Sequence, residues 1–482
     1  MAYQHSLFAN LRQRDDEKQR QILSPVMQAA FCIDVRSEIY RRALEAQHPD
    51  IQTLGFAGFF GLPLSFSPNA NSYQRPQMPG LLTPSIEVRQ AKANKGFSRG
   101  VAQSWDTFSS SSVSMFNAVE ASGWLYGLKM IKNTWFAGKA SHPINDSVND
   151  TQWQLYKQGV PLTTADKVSL AHSVLTAMGL TTHIAPFVLL VGHGSQSCNN
   201  HMQAALDCGA CCGQTGEVNV RVLANILNDT EVRAGLAQQG LPLADTTQFI
   251  AALHNTTTDD ITLCSYADVL PNEYQQWLKR ASQQTRIERA RRFSINAQPE
   301  QRSRDWAELR PEWGLANNAS FIVAKRQHTR HCNLQGRSFL HDYDWHTDTG
   351  FRTLELILTA PMIVTHWINF QYYASVTDNY LYGSGDKTLH NVVAGHLGVF
   401  EGNGGDLRVG LPMQSLHNGQ QWMHQPLRLS VVIDAPQEAI QTLVERHESV
   451  RQLIDNQWLY LFAWQPQRGK IARLLQGVWH YV

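Results

Sequence analysis

Five consecutive apolar residues, Phe187 to Val191, run straight into Gly192, His193 and Gly194 within the stretch PFVLLVGHG, residues 186–194. A strand with one wet face alternates apolar and polar residues. A run without a polar break belongs to a strand covered on both faces, as in a parallel sheet between helices. PVMQAAFCIDVRSE, residues 25–38, has the same form and passes into SEIYRRALEAQ with helical periodicity. It reads as strand, turn and helix, with Ser37 as the N-cap. Residues 217–256 continue in this style, with a helix through VRVLANILND and a strand near TQFIAALHN. The fold class expected is α/β with a parallel-sheet core. In open sheets of that kind, ligands sit outside the carboxyl ends of the strands. Both strand segments place their reactive residues there.

Length and charge narrow the function classes. A chain of 482 residues exceeds one typical domain. With 41 basic and 40 acidic side chains the net charge is +1, so no nucleic-acid partner is expected. Charged residues make up 17%, below the average of roughly 25% for soluble proteins, and the 13 Trp supply a large core or a covered surface. The cysteines number 7, at positions 32, 198, 208, 211, 212, 264 and 332. An odd, clustered set suits metal binding better than a disulfide framework. The opening MAYQHSLFANLRQRDDEKQR lacks the apolar run of a signal peptide, so the chain reads as cytoplasmic. The apolar stretch LILTAPMIVTHWINFQYYASV, 356–376, contains Pro361, His366, Asn369 and Gln371. Those residues are costly in lipid, and the stretch reads as a buried or interface helix. The run from Tyr274 to Phe293 reads as a basic helix with a solvated face, Gln298 to Arg304 as a linker, and the chain beyond as Trp- and Tyr-rich. No internal repeat stands out. EGNGGDLRVG, 401–410, lacks the spacing and Lys of a phosphate loop.

The chemistry concentrates at the two strand ends. Cys32, Asp34 and Arg36 form C-I-D-V-R, whose members share a face if the chain stays extended. A thiolate is a strong zinc ligand and a carboxylate can be another. An Arg two residues on offers that carboxylate an alternative bidentate partner, which makes the trio a candidate switch. After the second strand, GHGSQSCNNHMQAALDCGACCG supplies His193, His201, Cys198, Cys208, Cys211 and Cys212. Two Cys and one His make a set suited to zinc. Cys211 and Cys212 compete with Cys208 on these grounds, and a knuckle of Cys198, Cys208, Cys211 and Cys212 is the structural alternative. A redox C-x-x-C would need a βα context. Ser195 lacks the G-x-S-x-G surroundings of a nucleophile.

C-x-D-x-R at one strand end, with a His and a second Cys after a later strand, resembles the β-class carbonic anhydrases. Those enzymes hold zinc with two Cys and one His, and an Asp–Arg pair governs access. The gap from His193 to Cys208 is fifteen positions, where they use a close H-x-x-C. A fuller resemblance is to the DabA family, the probable inorganic carbon transporter subunit of bacteria. It rests on FCIDVRSE, TLGFAGFFG at 53–61, VGHGSQSCNNHMQAALDCGACCG, HNTTTDD at 254–260, RPEWGLANNASFI at 310–322, LTAPMIVTHWINFQYYASVTDN and YGSGDKTLHNVVAGHLGVFEGNGGDLRVGLPMQS, in matching order. One position, Cys212, is more commonly Gly in that pattern.

The resemblance implies a β-carbonic-anhydrase-like zinc core over residues 1–297 and a C-terminal region, 305–482, that packs and docks on a membrane subunit. It places Zn(2+) on Cys32, Asp34, His193 and Cys208, with catalytic roles for Asp34 and Arg36. It also implies a hetero-complex with a multi-span membrane subunit, DabB-like, resembling the proton-pumping subunits of respiratory complex I. The chain is then a peripheral protein on the cytoplasmic side of the cell inner membrane, hydrating CO2 to bicarbonate only when coupled to that partner. Members as a rule carry a further N-terminal region, so this chain is expected to be a short form. The alternatives are a free-standing β-type carbonic anhydrase and a non-catalytic zinc scaffold.

Overall fold

The computed structural model describes residues 2–13, 22–67, 74–90, 153–198, 200, 203–265, 269–293, 298–308, 310–383 and 410–482, with 101, 104–105, 107–109, 111 and 113–135. Among them, the strands Met27–Cys32, Ile51–Phe56, Phe187–Gly194 and Gln248–Asn255 pair in parallel, and Asp260–Ser265 closes one edge antiparallel. The order across the sheet puts Met27–Cys32 and Phe187–Gly194 side by side at its centre. Val188, Leu189, Leu190 and Val191 are at most 1% exposed, as the unbroken apolar run requires. Each such side chain contributes about 1.5–3 kcal/mol by leaving water. The α/β reading is what the structure has.

From Met27–Cys32 the chain crosses to Ile51–Phe56 on one side, and from Phe187–Gly194 it crosses to Gln248–Asn255 on the other. The two central strands therefore flank a switch point, where loops diverge and leave a crevice at the carboxyl ends. Register pairs Phe31 with Val191, so Cys32 and His193 emerge beside each other.

The C-terminal sheet repeats this plan. Ser320–Val323, Ser338–His341, Ser430–Asp434 and Tyr460–Gln465 are parallel in the same order, and Lys470–Leu475 follows antiparallel as Asp260–Ser265 does in the first. Val478–Tyr481 extends that edge. A third sheet is built from the strands Leu64–Ser67, Arg75–Pro76, Ile86–Gln90, Trp153–Lys157 and Val160–Pro161. The first and C-terminal sheets are tied at their edges: Leu340 N donates to Ile33 O at 3.2 Å and Asp342 N to Gly55 O at 2.8 Å. No repeat was read from the sequence because strand order is carried by connectivity, not by residue identity.

Several local expectations change. The helix Val35–Glu45 is capped by Asp34, whose Oδ1 accepts from Arg36 N at 2.9 Å, rather than by Ser37, whose hydroxyl donates to Cys32 O and Asp34 O. Residues 298–304 are not a bare linker: Pro299–Arg302 is a short helix, and Ser303 is buried. The 356–376 stretch is broken at Ala360 into the helices Arg352–Thr359 and Pro361–Thr377, and the second buries Met362, Val364, Ile368 and Tyr372. Among the described residues, no helix is long and apolar enough to cross a membrane. Exposed apolar side chains gather instead on the helix Met115–Trp135, including Phe116, Val119, Trp124, Leu128 and Trp135.

Two buried imidazoles make the fold acid-sensitive. Burial pushes His341 and His366 down to about 4. The unfolded chain takes up protons below about pH 6.5 while the folded chain does not, so stability present above that pH is lost as pH falls towards 4. Urea unfolding of metal-free protein is expected to show about 2 kcal/mol less stability per histidine at pH 5 than at pH 7. Equal stability at both values would contradict this.

Candidate metal centre

Cys32 is the last residue of its strand, His193 the seventh of its own, and Cys208 precedes the short 3-10 turn Gly209–Cys211. All three are buried, and their ligand atoms lie within 4.8 Å of one another. Cys208 and burial push the Cys32 thiol well above its usual range. Two thiols confined together resist ionisation unless a cation joins them. His193 Nδ1 is buried and makes no hydrogen bond among the described residues. The other ring nitrogen, Nε2, lies 3.3 Å from Arg36 Nη2, and a buried imidazole beside two thiols is a set that a soft divalent metal completes. These residues fit a metal.

The chain around the trio is shaped for it. A Cβ on Gly58 would lie 2.6 Å from Cys208 Sγ and 2.7 Å from Cys32 Sγ. Only glycine lets the backbone after Ile51–Phe56 pass so close to both sulfurs. Gly58 lies within TLGFAGFFG, and a small residue three positions beyond Gly55 is its only signal in the sequence.

Asp34 does not share a strand face with Cys32, because the chain turns between them into the helix. The turn aims Asp34 at Arg36 instead. Arg36 Nε donates to Asp34 Oδ1 at 2.8 Å and Nη2 to Oδ2 at 3.0 Å, a bidentate fork. Asp34 Oδ2 is 3.6 Å from His193 Nε2, so the carboxylate stands beside the trio while held by the guanidinium. Arg36 is wholly buried, and its Nη1 donates to Leu206 O at 2.6 Å, Thr256 Oγ1 at 2.9 Å and Glu312 Oε1 at 2.5 Å. Burial works against its charge, but Asp34 and Glu312 more than reverse that and raise its pKa.

Of the competing cysteines, Cys211 is buried next to Cys208 but falls outside the close Cys32–His193–Cys208 group. Cys211 Sγ donates to Gly58 O at 3.3 Å, Cys198 is exposed and donates to Ser303 O, and Cys212 takes a left-handed backbone with φ 61°. His201 lies outside the described residues, as does 401–409. Ser195 donates its hydroxyl to Asp207 at 2.9 Å and serves the loop. Arg289, read as part of a solvated basic face, is buried: its Nε donates to Asp259 Oδ2 at 2.6 Å and its Nη2 to the Arg36 carbonyl at 3.2 Å. The periodicity of Asn272–Phe293 conceals this, because two arginines of the basic helix, Arg286 and Arg289, turn to meet the HNTTTDD loop, and Arg289 does so fully buried.

Above the trio lies a cavity walled by Ile33, Ala57, Phe59, Phe339, Val364 and Ile368. Its roof is the Pro361–Thr377 helix, which lines it with Pro361, Val364, Thr365 and Ile368. The Thr365 hydroxyl donates to Met362 O at 2.9 Å. Apart from that hydroxyl, the polar side chains lining the cavity are Cys32, Asp34, His193 and Cys208 at its floor.

The family model described as "Probable inorganic carbon transporter subunit DabA" matches residues 1–459. The chain belongs to the DabA family. A DabA protein of Hydrogenovibrio crunogenus is 51% identical over 495 residues, covering 99% of this chain and 60% of that protein. One from Marinomonas is 51% identical over 471 residues, covering 95% and 58%. One from Vibrio cholerae is 45% identical over 522 residues, covering 100% and 60%. The chain therefore spans about 60% of the length of these DabA relatives. No solved structure matches it.

Proposed function

We propose that this chain is the zinc-holding subunit of an energy-coupled inorganic carbon uptake complex, hydrating CO2 to bicarbonate in one direction. The observation that carries the reading is the buried Cys32–His193–Cys208 trio with Asp34 drawn aside by Arg36, beneath an apolar cavity. Cys32, His193 and Cys208 would hold the metal, and Asp34 would join them when released from Arg36. Zinc so held lowers the pKa of a coordinated water to about 7, which supplies a nucleophile at neutral pH.

This chain's own residues supply the rest. The walls of Phe59, Phe339, Val364 and Ile368 admit a small uncharged gas more readily than a hydrated anion, whose desolvation they cannot repay. Arg36 keeps Asp34 away from the metal position, and an exchange between the two sets when that position is open. The relatives' printed name makes each a subunit of an inorganic carbon transporter. A subunit so named needs a partner, and we take that partner to be a multi-span, cation-translocating membrane protein that biases the exchange, with this chain peripheral on the cytoplasmic side of the inner membrane. The apolar helix Met115–Trp135 offers such a partner more exposed apolar surface than 356–376 does.

Zinc content tests the site, and bicarbonate accumulation tests the coupling. Native protein is expected to carry about one zinc per chain, and Cys32→Ala, His193→Ala and Cys208→Ala each well under half of that. Full zinc in all three would refute the site. In a carbonic-anhydrase-deficient cell, growth is expected to recover only when this chain is expressed with its membrane partner. Recovery with this chain alone would refute the coupling and point to a free-standing carbonic anhydrase.

A further inference from the structure

We propose that Glu312 is a positioning residue that sets how readily Asp34 leaves Arg36. This rests on reading Asp34 as a group that exchanges between Arg36 and the metal. Glu312 lies in RPEWGLANN, 276 positions from Arg36 in the chain, and reaches it across the two halves of the fold. It is 2% exposed. Its Oε1 accepts from Arg36 Nη1 at 2.5 Å and from Thr256 Oγ1 at 3.1 Å, while Oε2 makes no hydrogen bond among the described residues.

One buried guanidinium therefore faces two carboxylates on different edges. Asp34 takes Nε and Nη2; Glu312 takes Nη1. If Asp34 were the only counter-charge, its departure would strand a buried cation, an outcome severe enough to lock the pair. Glu312 removes that barrier in two ways. It remains on Arg36 after Asp34 has gone, and while both are bound it repels Asp34 through the shared guanidinium. Departure also ends the Asp34 cap on Arg36 N, so some such compensation is needed. The approach depends on Gly314, where a Cβ would lie 2.7 Å from Arg36 Cδ and Cγ. A side chain there would push the arginine stem off the line between its two partners.

Azide binding to the full chain loaded with cobalt(II), followed by visible absorption, tests this. Azide competes with Asp34 for the open metal position, so its affinity reads the exchange directly. Without Glu312 the grip of Arg36 on Asp34 tightens and the position stays open longer. Glu312→Gln is expected to bind azide about tenfold more tightly than native protein, a difference of about 1.4 kcal/mol. Asp34→Ala is expected to bind at least as tightly, and adding Glu312→Gln to it to change nothing further, which a merely structural role would not reproduce. Native affinity in Glu312→Gln alongside tight binding in Asp34→Ala overturns the role of Glu312. Native affinity in Asp34→Ala overturns the exchange itself, and this role with it. If Glu312→Gln fails to fold, Glu312→Asp carries the test, since it withdraws the charge by one methylene. About threefold tighter binding supports the proposal, and native affinity overturns it.

Discussion

Alanine at Gly58 is expected to empty the candidate metal centre while leaving the sheet that carries it intact. The added methyl carbon would sit 2.6 Å from Cys208 Sγ and 2.7 Å from Cys32 Sγ, against about 3.5–4.0 Å for relaxed contact. Both sulfurs would have to move by several tenths of an ångström. Structural metal sites tolerate displacements of only about 0.2 Å in ligand distance. Overpacking of this kind costs about 1–3 kcal/mol, which a domain of this size survives. Elemental analysis of purified Gly58→Ala is expected to find less than about a tenth of native metal. Circular dichroism should remain native. A variant that keeps its full metal content would show that the two thiols are not confined against residue 58.

What could be read from the sequence follows from where each signal is stored. The strand ends at Cys32 and His193 were legible because an unbroken apolar run states its own burial, and the residue that follows states its place. Cys208 was legible only as one of several thiols; that it and not Cys211 joins the close group goes with a turn that aims Cys211 at the Gly58 carbonyl. Gly58, Arg289 and Glu312 were not legible as parts of the site. Each acts on a partner more than twenty-five positions away in the chain, and no local pattern records that. The repeated sheet plan was hidden for a related reason. Strand order is fixed by how long crossovers pack, and the second copy has Val323 where the first has Cys32 at the strand end. The second sheet has the same strand order without the candidate ligands. The C-terminal half contributes Phe339, Val364 and Ile368 to the cavity wall and Glu312 beside Arg36.

Arg36 is a buried charge as well as a gate. Arg36→Ala leaves Asp34 and Glu312 buried with their common counter-charge gone. It also leaves Leu206 O without its donor. Removing one member of a buried ion pair costs about 3–5 kcal/mol, and here two carboxylates lose the same partner. Urea unfolding at pH 7 is expected to show a loss at the upper end of that range. Arg36→Lys should recover little, because an ammonium cannot span Asp34 and Glu312 with a planar fork. Acidity supplies the diagnostic sign. With the cation absent, burial and mutual repulsion raise both carboxyls in the folded state above their unfolded values of about 4. A raised folded pKa contributes stability that is present at low pH and lost as pH rises, so the variant's deficit relative to native protein should shrink as pH falls from 7 to 5. Asp34→Asn combined with Glu312→Gln in the Arg36→Ala background should recover part of the loss at pH 7 by removing the stranded charges. A deficit that neither acid nor the paired amides diminish would mean that Arg36 holds the fold by packing, and that the charge on Asp34 is balanced elsewhere.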